Sequence, residues 1–600
     1  MKTTERDGAL MARAIDWLGR LPLLGVEELS SLLQTREDSV SRALSELERL
    51  GCVEWVAPES PEVTRRRLFF LTSGAIDAGS AQVYASDRKE ILLRLARVET
   101  TVVLNRFFVE AVEAASHDIG IYLADARSLP WQTSCEVRWW PPEIEAYGCL
   151  RWGPWLAPFF VAWDRAGAPD RHRRLRVSSW YAFGESATPW TRDGLPPILV
   201  VCPSEREIEQ WGKAVIASAD RRGCAPLSVV LATSIAAWTD PLGAIWSRVD
   251  GMRHALLCER LRWVLRLPSG AEPPGISARP SIQQVEQKRP PLRGWARAVV
   301  MDERRRGSLA ETERMAALAL VATADHKALL DWIGHHPLLS AADLSVLLNI
   351  PEPLVQRLLG RLSEWGLVDA VVRAASEGDV PLPRYFLTGE GLRLLAARDG
   401  VPWQRYFRHG VLAAPAQGKR QRDRLKGFLN QFEHTVGVNS FFVRLAASGC
   451  TSGRLLRWLN AAESTEWCEY GGKRHRLRPD GSGLVAAGGQ IGRFFLEWDR
   501  GTMRGPQMME KFHYYAAYMA SRRSYGAVPP AVLIVTNAPH RENVIWQDLE
   551  AAFDEVKGKP SRFFTSIDTL ISGVGAFGPV WRPFDSVRRV RWRDSEGDSA

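Results

Sequence analysis

The chain is short of the features that would place it in a membrane, in an oxidising compartment or around a structural zinc. No apolar run approaches the roughly 18 residues that a membrane-spanning helix needs. Met1-Lys-Thr-Thr-Glu-Arg-Asp has no apolar segment behind it, so no secretory signal is expected. Eight cysteines, at 52, 135, 149, 202, 224, 258, 450 and 468, are scattered without a Cys-x-x-Cys pair. That spacing argues against a zinc site and against a disulfide framework, and it suits a reducing cytoplasm as the location. Charge of one sign is also scarce. With 78 Lys and Arg against 69 Asp and Glu, a net +9 is spread thinly over 600 residues. This balance is compatible with a nucleic-acid partner without demanding one.

What is present is an ordinary globular composition, 46% apolar and 24% charged, on a chain long enough for about four domains. The 24 tryptophans are expected chiefly in cores and interfaces rather than as base-stacking platforms. The organising signal is an internal repeat. Trp17-Leu-Gly-Arg-Leu-Pro-Leu-Leu through Gly51 aligns on Trp332-Ile-Gly-His-His-Pro-Leu-Leu through Gly366, and each copy then reaches Phe-Leu-Thr, at 70–72 and 386–388. Glu99-Thr-Thr-Val-Val-Leu-Asn-Arg-Phe-Phe-Val matches Glu433-His-Thr-Val-Gly-Val-Asn-Ser-Phe-Phe-Val. Phe159-Phe-Val-Ala-Trp-Asp-Arg matches Phe494-Phe-Leu-Glu-Trp-Asp-Arg, and Pro196-Pro-Ile-Leu-Val-Val matches Pro529-Pro-Ala-Val-Leu-Ile-Val. The order is kept throughout, so the chain reads as a tandem duplication of one two-domain unit.

Each unit opens with the pattern of a winged helix. In the first copy the spacing predicts a helix over Val26–Leu33, a turn at Gln34-Thr35 and a second helix over Arg36–Leu50. Val40, Ala43, Leu44, Leu47 and Leu50 supply its buried stripe. Val53–Val56 and Arg67–Leu71 read as wing strands. In the second copy Pro351 suits a first helical turn, the stripe is Val355, Leu358, Leu359, Leu362 and Trp365, and Arg384–Leu387 is the returning strand. A winged helix would set its second helix in a DNA major groove, which makes Arg42, Arg357 and Arg361 candidate contacts. Arg65, Arg66 and Arg67 on the first wing are better placed for phosphates. The alternative is that these modules pack within the protein.

The chemistry concentrates in Arg478–Lys511. Asp480 stands in a turn set by Pro479 and Gly481, and Glu497 and Asp499 lie on an apolar strand with Trp498 between them. Alternation puts Glu497 and Asp499 on one face. An acid inside a strand as apolar as Phe494–Trp498 is costly unless it meets a partner or an ion. Three carboxylates able to converge, followed by Lys511, suit a divalent metal acting on a phosphodiester. The plainer alternatives are a turn acid, a solvated helix lysine and, for Tyr514 and Tyr515, helix packing. Glu433 is either a fourth acid at this site, an exposed helix acid or a partner of His434.

Pro479-Asp480 followed by Glu497-x-Asp499 resembles the PD-(D/E)XK nuclease superfamily. More closely, Pro-Asp followed by Glu-x-Asp-Arg-Gly-Thr behind a winged helix resembles the replication-relaxation family of mobile-element proteins. The superfamily lysine two residues after the acid is replaced here by Asp499, so Lys511 on the next helix would take its role. The resemblance implies an α/β (α+β) fold class, with a winged-helix domain followed by a PD-(D/E)XK-like domain in each copy. It implies Mg²⁺ or Mn²⁺ held by Asp480, Glu497 and Asp499, with Lys511 stabilising phosphate and Glu433 an additional acid. The family name also raises a covalent tyrosine relaxase acting through Tyr515.

In the first copy Ala162 stands for Glu497 and Arg176 for Lys511, no Pro-Asp-Gly precedes the strand, and the nearest acids are Glu143 and Glu145. That half is read as degenerate, kept for binding or for a pseudo-two-fold pairing with the other. Basic runs occur at Lys288–Arg306, at Lys419–Lys426 with Lys419, Arg420 and Arg422, and at Arg588–Arg593; they would track a backbone without reading sequence. The expected domains are 1–90 and 326–412 as winged helices, 91–267 and 413–574 as nuclease-like domains, 268–325 as a basic linker and 575–600 as a basic tail. The leading expectation is a DNA-binding mobile-element protein that nicks or cuts DNA, with no membrane partner and with other subunits of a replication complex as candidate partners. Its rival is a non-catalytic initiator or regulator that uses the nuclease fold as a scaffold.

Overall fold

In the computed structural model the apolar runs become central strands and the 3.6-residue patterns become the helices that cover them. The structure describes residues 2–72, 75, 88–117, 121–125, 141–152, 155–165, 168–186, 195–249, 254–261, 265–266, 291–302, 304, 307, 309–373, 381–409, 411–412, 429–448, 453–470, 472–501, 505–524, 528–556, 558–584 and 586–593. Lys419, Arg420 and Arg422 lie outside them. Two units result, the first of residues 1–327 with 393–405 and the second of 328–392 with 406–600. Among the described residues, no helix is long and apolar enough to cross a membrane.

Both units follow one plan, and the fold is mixed α/β. The first contains helices Val26–Leu33 and Glu37–Arg49 and the antiparallel pair Val53–Val56 with Leu68–Leu71. The second contains Ala341–Leu348, Glu352–Glu364 and the pair Val368–Arg373 with Leu382–Leu387. The sheet of the second unit runs Arg454–Asn460, Gly481–Ala487, Gln490–Asp499, Ala531–Thr536, Phe563–Ile567, Arg582–Pro583. Its first three strands are antiparallel, the next two join in parallel and the last returns antiparallel. The first unit repeats this order through Ile121–Asp125, Ala146–Trp152, Trp155–Trp163, Ile198–Cys202, Val229–Thr233 and Ser247–Arg248.

The repeat extends to single bonds. Asn105 donates to the Pro22 carbonyl at 2.8 Å, and Asn439 donates to Pro337 at 2.8 Å. Thr72 caps Gly51 at 2.7 Å as Thr388 caps Gly366 at 2.6 Å. Phe107 packs edge-on against Phe108 and Trp246 as Phe441 packs against Phe442 and Trp581. A glycine admits a ring at each equivalent strand: a Cβ on Gly148 would lie 2.3 Å from Phe159, and one on Gly483 2.4 Å from Phe494.

Three stretches differ from the expectation. The second half of the supposed linker is helical, at Leu292–Met301 and Glu311–Val321. Its first helix caps the wing pair, with Leu292 N–H donating to Glu54 at 3.0 Å and Arg293 lying 4.5 Å over Trp55. Described residues of the supposed tail are structured instead: Arg582–Pro583 is the last strand of the second sheet, Trp581 bridges Val590 and Trp592 is buried. Its arginines are partly structural: Arg589 pairs with the buried Glu542 at 2.7 Å, and Arg593 donates to the carbonyls of Val485 and Gln490. The helix that the sequence pattern places over 428–447, with Glu433 near its start, is Phe432–Ala447.

Candidate functional site

The second unit gathers charge where its antiparallel hairpin meets its parallel strands. Gly488 and Gly489 both take positive φ, which lets the hairpin turn in two residues and sets the register of Gly481–Ala487 against Gln490–Asp499. That register continues to Asp480, whose N–H donates to Leu496 O at 3.0 Å and whose Oδ2 accepts the Trp498 N–H at 2.8 Å. Phe494 and Trp498 point to helix Phe432–Ala447; a Cβ on Gly437 would lie 2.2 Å from the Trp498 ring nitrogen. Phe495 and Glu497 point to the other face, under helix Gly505–Ser524, where Phe495 meets Tyr515 and Tyr518.

Lys511 and Tyr515 are one helical turn apart on that helix, so both reach Glu497. Lys511 Nζ contacts Glu497 Oε2 and stands 3.6 Å from Asp480 Oδ1. Tyr515, fully buried, donates its hydroxyl to Glu497 Oε1 at 2.5 Å. His434 Nε2 lies 3.1 Å from Asp480 Oδ2. Burial alone would raise the Asp480 carboxyl, but Lys511 and the bonds from His434 and Trp498 hold it well below the usual carboxylate range. Glu497 goes the other way: burial pushes it up to about 8, with Asp480 adding to the rise against the pull of Lys511. Burial would lower Lys511, but the two carboxylates keep it raised and protonated. Burial and Glu497 raise the Tyr515 phenol well above its ordinary value, the reverse of what a nucleophile needs.

Asp499 does not join them. It ends the strand, and Arg541 from helix Pro539–Asp554 takes its carboxylate at 2.6 Å while Gly501 N–H donates to it at 3.0 Å. The expected convergence of three acids is thus a convergence of two. Glu433 is engaged by Arg500 and, at 3.3 Å, by Arg373, away from the pair. Among the described residues, no group of three or more His, Cys, Asp and Glu side chains is arranged to hold a metal ion. The donor chemistry still suits a hard cation. Asp480 Oδ1 and Glu497 Oε2 face one point, which Lys511 marks with its charge, and Mg²⁺ commonly takes one or two carboxylates with waters and substrate phosphate.

Of the expected DNA contacts, Arg66 is tied to Glu27 and Glu28, Arg67 lies 4.4 Å over Trp55 and Arg65 pairs with Glu59 at 3.2 Å. Arg361 pairs with Glu364 at 3.3 Å, Arg42 meets Ser39 at 3.3 Å and Arg357 is exposed. Sequence reasoning missed a ribbon beside the acids. Strands Glu466–Tyr470 and Lys473–Leu477 pair in register, with Trp467 opposite Arg476 and Glu469 opposite Arg474. Arg474 lies 4.4 Å over the exposed Trp467. Arg474, Arg476 and Arg478 alternate outward and lead directly into Pro479-Asp480; that two-residue period was the available signal.

The first unit keeps a closed version of the same arrangement. Glu145 takes the place of Asp480, its N–H donating to Val161 O at 3.0 Å and its Oε2 accepting the Trp163 N–H at 3.0 Å. Arg176, in the place of Lys511, pairs with Glu145 at 2.9 Å, and Ala162 stands where Glu497 would. Asp164 is enclosed by Trp211 Nε1 at 2.7 Å and Ala168 N–H at 2.7 Å.

The second unit is thus an α/β protein module in which a helix lysine bridges one carboxylate on strand Gln490–Asp499 and one just ahead of strand Gly481–Ala487. Residues 330–530, about a third of the chain, match the replication-relaxation family, and the match takes in Asp480, Glu497, Lys511 and Tyr515. No curated protein matches the chain.

Proposed function

We propose that the chain is a DNA-acting protein of mobile-element replication or relaxation, and that its second unit hydrolyses phosphodiesters with a divalent cation. The convergence of Asp480 and Glu497 on Lys511 carries this reading, and the family match over 330–530 supports its setting. Asp480 and Glu497 would hold Mg²⁺ or Mn²⁺. When bound, the ion supplies a polarised phosphoryl group and an acidified water. The chain's own residues do the rest. His434 orients Asp480, Tyr515 orients Glu497, and Lys511 neutralises charge on the phosphate. The Trp467–Arg474–Arg476 ribbon offers a ring face and guanidinium groups to a nucleic-acid strand approaching the acids. Hydrolysis joins a water oxygen to phosphorus and breaks the bond to one sugar oxygen, which takes up a proton. The winged-helix reading of 26–71 and 341–387 supplies DNA positioning through the exposed Arg357 of the second module, because helix Leu292–Met301 covers the first wing pair.

One observation favours the non-catalytic rival: Lys511 already neutralises the acidic pair, as Arg176 does for Glu145 in the first unit. Incubation of supercoiled and single-stranded DNA with Mn²⁺, beside Glu497→Gln, separates the two. Metal-dependent nicking lost in the variant is the expected result. Intact binding with no cleavage by either protein would leave a DNA-binding scaffold.

A further inference from the structure

Helix Asp170–Gly184 of the first unit carries two kinds of arginine. Arg173 and Arg176 turn inward, to Ala168 O with Gln210 and to Glu145. Arg171 and Arg174 turn outward and, with Ser178, line one wall of a groove of about 560 Å³. Ser218, Arg221 and Arg222 of helix Glu205–Arg222 line the other wall. The groove is open to solvent along this exposed edge, and among the described residues Leu175 is its one apolar lining residue.

We infer that this groove binds successive phosphates of a nucleic-acid backbone. Four guanidinium groups around one cavity repel each other unless anions sit between them, and the acids at hand are few. Asp170 pairs with Arg174, and Glu185 pairs with Arg222 at 2.8 Å; both acids are exposed and readily displaced. Arg221 donates to Ala217 O at 3.0 Å and to Ser218 Oγ at 3.2 Å, which holds its exposed head at the wall of the groove. Arg171 has no acid within pairing distance among the described residues. Planar guanidinium forks suit phosphate oxygens two at a time. Arg171 to Ser178 spans about 10 Å of helix, which is more than one phosphate group occupies and leaves room for its neighbour on the same strand. Among the described residues no aromatic ring lines the groove to stack a base, so the chemistry is that of phosphates in a row rather than of a nucleotide. The inference extends the nucleic-acid reading to the half that lacks Glu497, and it gives that half a task independent of hydrolysis.

The test uses the full chain and labelled oligonucleotides, single-stranded and duplex, with anisotropy read at increasing salt and without divalent ions. Arg171→Ala, Arg174→Ala and Arg221→Ala combined should weaken binding of both by about tenfold at moderate salt and lower the salt slope by about 2. The three positions are exposed, so the circular-dichroism melt should be unchanged. Tripolyphosphate and a nucleoside triphosphate are the free-anion arms. Tight, variant-sensitive binding of either one, with DNA binding unmoved, would overturn the backbone assignment. Unchanged affinity and slope for DNA would overturn the site altogether. The assay reads binding without divalent ions, so a protein that never cleaves DNA leaves the result readable.

Discussion

Lys511 holds one positive charge between two carboxylates that burial would otherwise drive neutral. Replacing it by methionine keeps the packing of the chain but leaves Asp480 and Glu497 facing each other. Removing one member of such a partly buried cluster costs about 3 kcal/mol, so Lys511→Met should lower the urea midpoint clearly, and Lys511→Arg should recover part of it. A midpoint unchanged in Lys511→Met would mean that the cluster does not stabilise the unit. Tyr515 is a different case. Its hydroxyl is enclosed and donates to Glu497, so Tyr515→Phe should cost about 1 to 3 kcal/mol. The variant should still cut DNA, and neither protein should form an adduct visible on a denaturing gel. A covalent adduct lost in the variant would restore the relaxase mechanism.

At the scale of elements, the strand carrying Glu497 is held by an aromatic fit on its far side. Trp498 lies against helix Phe432–Ala447 at a place where only a glycine leaves room. Gly437→Ala should destabilise the unit by about 1 to 3 kcal/mol and misplace Asp480 through the Trp498 N–H, lowering cleavage more than DNA binding. Equal losses in both would indicate general unfolding. His336 stacks on Trp458 with 3.5 Å between ring centroids. Burial, outweighing nearby Glu463, lowers its pKa to about 3, against about 6.5 in the unfolded chain. The neutral form is thus favoured in the fold. Its contribution is intact above about pH 6.5 and is lost as pH falls from there toward about 3. His336→Phe should give a flatter melting-temperature profile between about pH 6.5 and 4.5, and parallel profiles would contradict this.

The repeat, the strands and the residues Asp480, Glu497 and Lys511 were legible because each depends on local pattern: alternation, turn chemistry and matched segments. What escaped depends on partners far along the chain. Nothing near Asp499 signals that Arg541 will claim it. Glu145 was one of two nearby acids until the Trp163 N–H identified it as the counterpart of Asp480. The basic content of 288–306 suggested a linker, yet Leu292, Ala296, Val299 and Val300 were a buried stripe within it.

For the whole molecule, the two units share a scaffold and differ where the second has Glu497 and the first has Ala162, the position that the proposed cation would need. Titration with Mn²⁺ should therefore saturate at one acidic site per chain, abolished by Glu497→Gln and untouched by Glu145→Gln. Two equivalent sites would show that the first half retains a cation site by another route. The units also interleave along the chain, because residues 393–405 belong to the first and follow the opening module of the second. Asp399 accepts from Arg165 at 2.6 Å, and the Arg398 carbonyl accepts from Thr100 at 3.1 Å. On the ribosome, then, the first unit waits for a segment made after part of its sibling has emerged. Halves cut apart at residue 327 would not be two free-standing proteins but one incomplete unit and one carrying a displaced piece of the other.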